Sequence, residues 1–527
     1  MKKIFKKLIN YAIVSVLMLF LVAFTQTTKL LTAGLQVQQA TTTGGTVVWA
    51  NAHHPISFDP IRIGDLTSTS VLSQVLQGLT VINPKVDYVD LQGALATHWV
   101  HYDPYTWYFY LREGVYFHDG RYFDADVAVL NIERVLDPAE SVPQAHIIDM
   151  ISRAEAVDTY TLRVTTHTPF APLAYTFAHR VLFMVSPTYL ENDRGLQYRI
   201  ARHPIGTGPF VFHSYEAYHN TIFARNENYW GQLASPDYLR IWTVAYYATR
   251  FSALEAGDAH FIMGMPSDYY VAQNIPHLDT HLLTYSPQIE YIGFNVARPI
   301  LSDLRVRQGI AHAIDRQSII NNLAMGMGTI AHGPASPAMA HAPQGQSLEY
   351  NPQRASELLT EAGITPQNRV TLNFFYNYGN YFRGAVGYFL QTELAQYGID
   401  LVVTSLKWGD FLDAIDADER DMFILSWSMS GGDADGIYPL FHSSLIGGRG
   451  NRTFWYHPEV DEMLDEARAS SDGEKRDYLY ERITEIINYY QPKVFLRFTP
   501  QAWITNGIDN LYLDFFTIPH FRDVTFR

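Results

Sequence analysis

The sequence predicts a mixed α/β fold spread over several domains, and three observations predict it. The chain has 527 residues, room for about three to four domains of roughly 150 residues. Hydrophobic residues make up 47% and charged residues 17%, a balance that buries cores. Short β-type runs alternate with stretches of helical periodicity, too irregularly for a barrel of repeated units, and no repeat or low-complexity tract follows the amino-terminal leader.

The first segment reads as an address. Lys2, Lys3, Lys6 and Lys7 precede an apolar run from Leu8 to Phe24, the pattern of a secretory signal peptide. Its length is near the lower limit for a membrane-spanning helix, so an uncleaved anchor is the alternative. Thr25 to Thr43 reads as a flexible leader, rich in Thr and Gln. The folded chain then starts with a buried strand, Thr46 to Ala50. Thr69 to Leu79 carries Val71, Leu72, Val75, Leu76 and Leu79 on one helical face. Trp107 to Leu111 and Val115 to Phe117 read as two strands joined through Arg112-Glu113-Gly114, and His118-Asp119-Gly120 as a turn. Ala125 to Leu136 is helical, stopping before Asp137-Pro138. Pro204 to Pro209 is a rigid loop into the strand Phe210 to His213. Leu304 to Leu323 is an amphipathic helix. Asn351-Pro352 is an N-cap with first helical position, and Gly363 the stop signal. Ser471 with Glu474 makes a capping box for the helix through Ile487.

Composition removes several function classes. The 38 Lys+Arg against 53 Asp+Glu give a net charge of −15, which repels phosphate backbones and argues against a nucleic-acid partner. There are no cysteines, so disulfides, thiolate metal sites and cysteine nucleophiles are excluded, as is a lipid-modified cysteine. No phosphate-gripping Gly-rich loop is followed by Lys-Ser/Thr. Gly206-Thr207-Gly208 and Gly326-Met327-Gly328 lack the third glycine of a dinucleotide fingerprint. Neither a Gly-x-Ser-x-Gly elbow nor a His-Glu-x-x-His pair occurs. No cofactor and no enzymatic activity are expected, and any ATP hydrolysis belongs to another chain.

The candidate chemistry is that of binding. Among 20 histidines, adjacent His53 and His54 would point to opposite faces of a strand, which favours a structural or solvated role. Trp408, Trp427, Trp455 and Tyr456 fall on loops and strand ends, where aromatics wall a cleft or fill a core. Asp433 and Asp435 sit in a glycine-rich turn after the apolar run Phe423 to Trp427. They read either as a solvated turn or as an anchor for a ligand ammonium.

A resemblance now enters. Leu111-Arg112-Glu113-Gly114-Val115-Tyr116-Phe117-His118-Asp119-Gly120, continuing to Ala125-Asp126-Val127 and Glu133-Arg134, resembles the signature of bacterial extracellular solute-binding proteins of family 5. These include the oligopeptide-, dipeptide-, glutathione- and nickel-binding receptors of ABC importers. Further blocks follow in the family's order: Pro204 to Phe210, Arg225 to Gly231, Phe294-Asn295, Arg305 to Gln308, Ala313 to Arg316, Tyr350 to Gly363, and Gly450-Asn451-Arg452 with Pro458 to Asp461. The stretch Gly432 to Ser443 resembles the peptide-receptor branch.

The resemblance implies a two-lobed periplasmic binding protein fold (type II, cluster C) with an extra α/β domain inserted in the first lobe. After the signal peptide and leader at 1–43, the first lobe would comprise 44–80, 205–285 and 498–527, the insert 81–204 and the second lobe 286–497. It further implies a monomeric receptor that closes around a peptide and docks on a membrane permease, with the ATPase on separate chains. The missing lipidation cysteine then points to a free periplasmic protein. The alternatives are a same-fold receptor for a nickel chelate, haem or oligosaccharide, and a secreted peptide hydrolase. Family peptide receptors hold the peptide ammonium with an acidic residue three positions after the tryptophan matching Trp427. Ser430 stands there, so either Asp433 supplies the charge, the favoured expectation, or the ligand is not held by an amino terminus; Trp427 and Trp408 are expected as cleft walls and Phe294-Asn295 as the strand lining the cleft.

Overall fold

The central strand of the first sheet, Thr46–Asn51, is buried from its second residue onward. It runs parallel to both neighbours, and a strand covered on both faces reads as the continuous apolar run seen here. A computed structural model describes residues 44–190, 200–264, 266–417, 420–429, 431–447 and 450–527. The expected signal peptide and leader, at 1–43, lie outside the described residues, as does Ser430.

Three sheets organise the chain. The first has seven strands in the order Leu278–Leu283, Gln501–Asn506, Phe261–Met263, Thr46–Asn51, Tyr238–Thr243, Asn220–Arg225 and Phe210–Glu216. Its strands come from both ends and the middle of the sequence. A four-stranded antiparallel sheet, all within 96–166, orders Ala96–Asp103, Thr106–Leu111, Thr161–Thr166 and Ile151–Asp158. Helix Ala125–Leu136 packs on it, burying Val127, Ile132 and Val135 against Trp107 and Phe109. The third sheet, within 288–498, has six strands: Thr329–Ile330, Lys493–Phe498, Gln288–Phe294, Met422–Ser428, Val370–Asn377 and Ile399–Leu406. Val370–Asn377 and Ile399–Leu406 are parallel, linked by helix Tyr381–Ala395. Among the described residues no helix is long and apolar enough to cross a membrane.

Inside this third sheet an ion triad replaces apolar packing. Glu290, 6% exposed, accepts from Arg497 Nε and Nη2 at 3.0 and 2.9 Å and from Arg383 Nε at 3.4 Å. Arg383 also donates to Asn377 and Ser426. The satisfied hydrogen bonds offset the cost of desolvating three charges.

Turn motifs tie the four-stranded sheet to the first. His118 lies between two glycines of the 204–209 loop. The Gly206 amide donates to its Nδ1 at 3.4 Å, which leaves the proton on Nε2 to donate to the Gly208 carbonyl at 3.0 Å. Burial pushes the imidazole down to about 4, so the ring is neutral at pH 7. An added Cβ at Gly206 would meet the Val75 carbonyl oxygen at 2.2 Å, so only glycine permits this approach. Asp119 accepts from the Ser186 and Thr188 hydroxyls. The His53-His54 pair carries local contacts, His54 edge-on to Tyr218 and the His53 carbonyl accepting from Asn51.

Several elements differ from expectation. The helix expected over 69–79 is Leu66–Leu72, capped by Asp65. The carbonyls of Gln74 and Val75 accept from Phe210 and Gly208, so they are spent on the glycine loop instead of a helix. The long helix expected over 304–323 stops at Ala313. Ile314 is extended and Asp315 caps a new turn by accepting from Ser318 at 2.9 Å, because a short acidic side chain competes with the helical backbone. Val115 to Phe117 is not a ladder strand. It folds back on Arg121 to Phe123 through amide bonds at 2.8 and 3.0 Å, turned by Gly120 at φ +83°. The cap of helix Gly473–Tyr490 is Asp472, not Ser471. By contrast, Asn351 caps helix Pro352–Glu361 and Gly363 follows its end at φ +84°, as the spacing predicts.

Candidate ligand cavity

A cavity of about 1060 Å³ separates the end of the four-stranded sheet from the six-stranded unit. This is just above the roughly 300–1,000 Å³ usual for small-ligand sites. One wall is the stretch 146–179, carrying His146, Asp149, His167 and Tyr175. The other is built from 408–468 and carries Trp408, Trp427, Tyr438, Arg452 and Arg468. Backbone contact joins the walls at one edge, where the Ala171 amide donates to the Arg468 carbonyl at 2.7 Å.

The aromatic side chains are fixed by their elements. Trp408 opens helix Trp408–Asp416 and is 53% exposed. Trp427 sits near the end of strand Met422–Ser428, and its indole N–H donates to the Gly436 carbonyl at 3.1 Å. That bond presents the ring instead of the polar edge to the cavity. The Arg468 guanidinium lies 3.4 Å from the Tyr438 ring centroid. Burial pushes the Tyr438 and Tyr175 hydroxyls up to about 12, so both remain neutral donors.

The acidic turn behaves differently from expectation. Asp433 is 1% exposed and held in a two-pronged pair by Arg476, with Nη1 to Oδ2 at 2.8 Å and Nη2 to Oδ1 at 2.6 Å. Its Oδ1 also accepts from the Asp435 amide. Asp435 is paired in the same way with Arg468, at 2.9 and 2.8 Å. Both residues line the cavity, but their charges are already neutralised. Asp433 as a bare ammonium anchor is therefore corrected: the arginine fork occupies the geometry that a ligand cation would need.

Trp408 and Trp427 thus meet Asp433 around one cavity. Phe294 and Asn295 do not join them and do not line this cavity. Phe294 is fully buried in a core with Ile310, Leu372 and Phe374. Asn295, also fully buried, donates to the Arg420 carbonyl and accepts from the Ala297 amide. The strand containing Phe294 is central in its sheet, so its alternate faces meet core. Trp455 is buried core, and Tyr456 is exposed away from the cavity. Sequence reasoning missed Asp149, Tyr175, Arg452 and Arg468 as lining residues. Arg452 alone had a signal, within the family block Gly450-Asn451-Arg452. Arg468 and Asp435 are 33 residues apart, so no local spacing marks their pairing.

Comparison with known proteins agrees with this architecture. A sequence model for the middle region of bacterial extracellular solute-binding proteins, family 5, matches residues 90–448. The glutathione-binding protein GsiB of Shigella flexneri is 30% identical over 456 residues, spanning 84% of this chain and 86% of that protein. HbpA2 of Haemophilus parasuis superposes with a TM-score of 0.83 at 24% identity, covering 92% of this chain and 100% of the other. DppA of Helicobacter pylori, solved with the peptide STSA, gives 0.71 at 24% identity, with 92% and 99% covered. The three-sheet architecture is accordingly the two-lobed fold of such receptors, and the chain belongs to the bacterial extracellular solute-binding proteins of family 5.

Proposed function

We propose that this chain is an extracytoplasmic receptor that encloses short peptides and delivers them to the membrane permease of an ABC importer, with ATP hydrolysis on separate chains. The observation that carries the reading is the aromatic-walled cavity of about 1060 Å³ between two separately built sheets. A ligand touching both walls favours the closed population by its differential affinity, which is what a transport receptor requires. The GsiB relatives, named for glutathione, support a ligand of peptide type.

In this reading 44–80, 205–285 and 498–527 form the first lobe around the seven-stranded sheet, 81–204 the insert and 286–497 the second lobe. The receptor is a free periplasmic monomer and breaks no bond in its cargo. Backbone hydrogen bonds hold the peptide, Trp408 and Trp427 flank it, and ordered water fills the remaining space. Asp149, exposed on the cavity wall, takes the ammonium end in place of Asp433.

A second reading draws on His146 and His167 in the same wall: a ligand held through imidazole, such as a nickel–histidine chelate or haem. Native mass spectrometry of gently purified protein, followed by calorimetry against a tripeptide pool and against nickel–histidine, separates the two. Peptide-mass adducts and a peptide response are expected. Tight chelate binding without any peptide response would overturn the proposal, and reproducible cleavage of the pool would make the protein a hydrolase.

A further inference from the structure

Three guanidinium groups stand at or directly behind the cavity's second wall, and they are not equivalent. Arg476 spends two N–H groups on Asp433, and Arg468 spends two on Asp435. Arg452 makes a single side-chain bond, from Nε to Asp416 Oδ1 at 2.6 Å. Its two terminal amino groups have no hydrogen-bond partner among the described residues, although the residue is only 6% exposed and lines the cavity. A guanidinium offers its remaining N–H groups as a planar fork that fits a carboxylate bidentately.

The surroundings keep that fork in place. The Arg452 carbonyl accepts from Arg420 Nη2. The neighbouring Asn451 side chain, fully buried, donates to the Phe441 and Trp455 carbonyls at 3.1 and 2.7 Å. Behind lies Lys493, fully buried, with Nζ donating to the Leu440 carbonyl at 2.9 Å. Burial, then Arg452 and Arg420, hold its amine well below the usual lysine range. Lys493 is thus a weak competitor for an anion, and Arg452 is the cavity-lining cation with both terminal amino groups unspent among the described residues.

We propose that Arg452 is the carboxylate anchor of this cavity, so that the receptor selects ligands carrying a free carboxylate. The proposal rests on the peptide-receptor reading and specifies one end of its ligand. A zwitterionic peptide then lies with its carboxylate at Arg452 and its aromatic or aliphatic side chains against Trp408 and Trp427.

The test uses the whole purified protein and a tripeptide pool free of Asp and Glu, prepared once as free acids and once as C-terminal amides. Calorimetry is expected to show the acids binding roughly ten- to a hundredfold more tightly than the amides, the worth of a hydrogen-bonded charge. In Arg452→Gln that preference disappears, and in Arg452→Lys part of it returns. Equal binding of acids and amides to the unaltered protein would overturn the assignment while leaving the peptide receptor standing, and this comparison does not depend on any variant folding. A preference that survives in Arg452→Gln would overturn it as well. If neither pool binds, the peptide reading and the anchor fall together.

Discussion

At the scale of single residues, the Asp433–Arg476 pair shows how a carboxylate beside a ligand cavity can be structural. Both partners are nearly fully buried, at 1% and 3% exposure. Removing one leaves the other as an uncompensated buried charge, which costs about 3–5 kcal/mol. Arg476→Met is therefore expected to lower the urea midpoint strongly, and Asp433→Asn added to it should restore part of the loss. His118 makes a second residue-scale prediction. Its folded value, about 4, lies below the ordinary 6.5, so between those values the unfolded chain binds more protons than the folded one. Stability is then full above about pH 6.5 and falls as pH drops toward 4, by roughly 3 kcal/mol at most. Urea midpoints at pH 7 and pH 5 check this, and His118→Gln should flatten the difference.

At the scale of elements, caps and close approaches decide where segments end. The Asp472 carboxylate accepts from the Lys475 amide at 3.2 Å. Asp472→Ala should cost about 1 kcal/mol of stability, whereas Ser471→Ala should stay within about 0.5 kcal/mol; thermal unfolding of the two variants distinguishes them. The break at Ile314–Asp315 follows the same logic, since an aspartate two residues past an apolar helix end can start the next turn. Both signals were present as residue types, but propensity alone did not rank Asp472 above Ser471. The local bond from the Lys475 amide to Asp472 places the helix start one residue later.

At the scale of the whole molecule, the cavity joins surfaces that the sequence keeps far apart, 146–179 and 408–468. A ligand bridging them should contract the protein: small-angle scattering with and without the saturating tripeptide pool should show a smaller radius of gyration with ligand. An unchanged profile would contradict closure. The same binding should raise the unfolding free energy by about 2.7 kcal/mol at a hundredfold excess over Kd.

The amino-acid sequence by itself determined the mixed α/β class, some of its strands and helices and the family. These depend on periodicity, caps and motif blocks, all carried by neighbouring residues. It also marked Trp408 and Trp427 as cleft or core residues, because aromatics near strand ends and helix starts have few other places to go, and both line the cavity. Only the tertiary structure decided which charges remain available. Asp433 and Asp435 look alike in the chain as open acids, yet Arg476 and Arg468 arrive from helices Gly473–Tyr490 and Pro458–Ala469 and neutralise them. Arg452, inconspicuous between Asn451 and Thr453, keeps its two terminal amino groups open among the described residues. The cause is physical: whether an ionised group binds a ligand depends on what else lies within hydrogen-bond reach, and that reach is set in space, not along the chain.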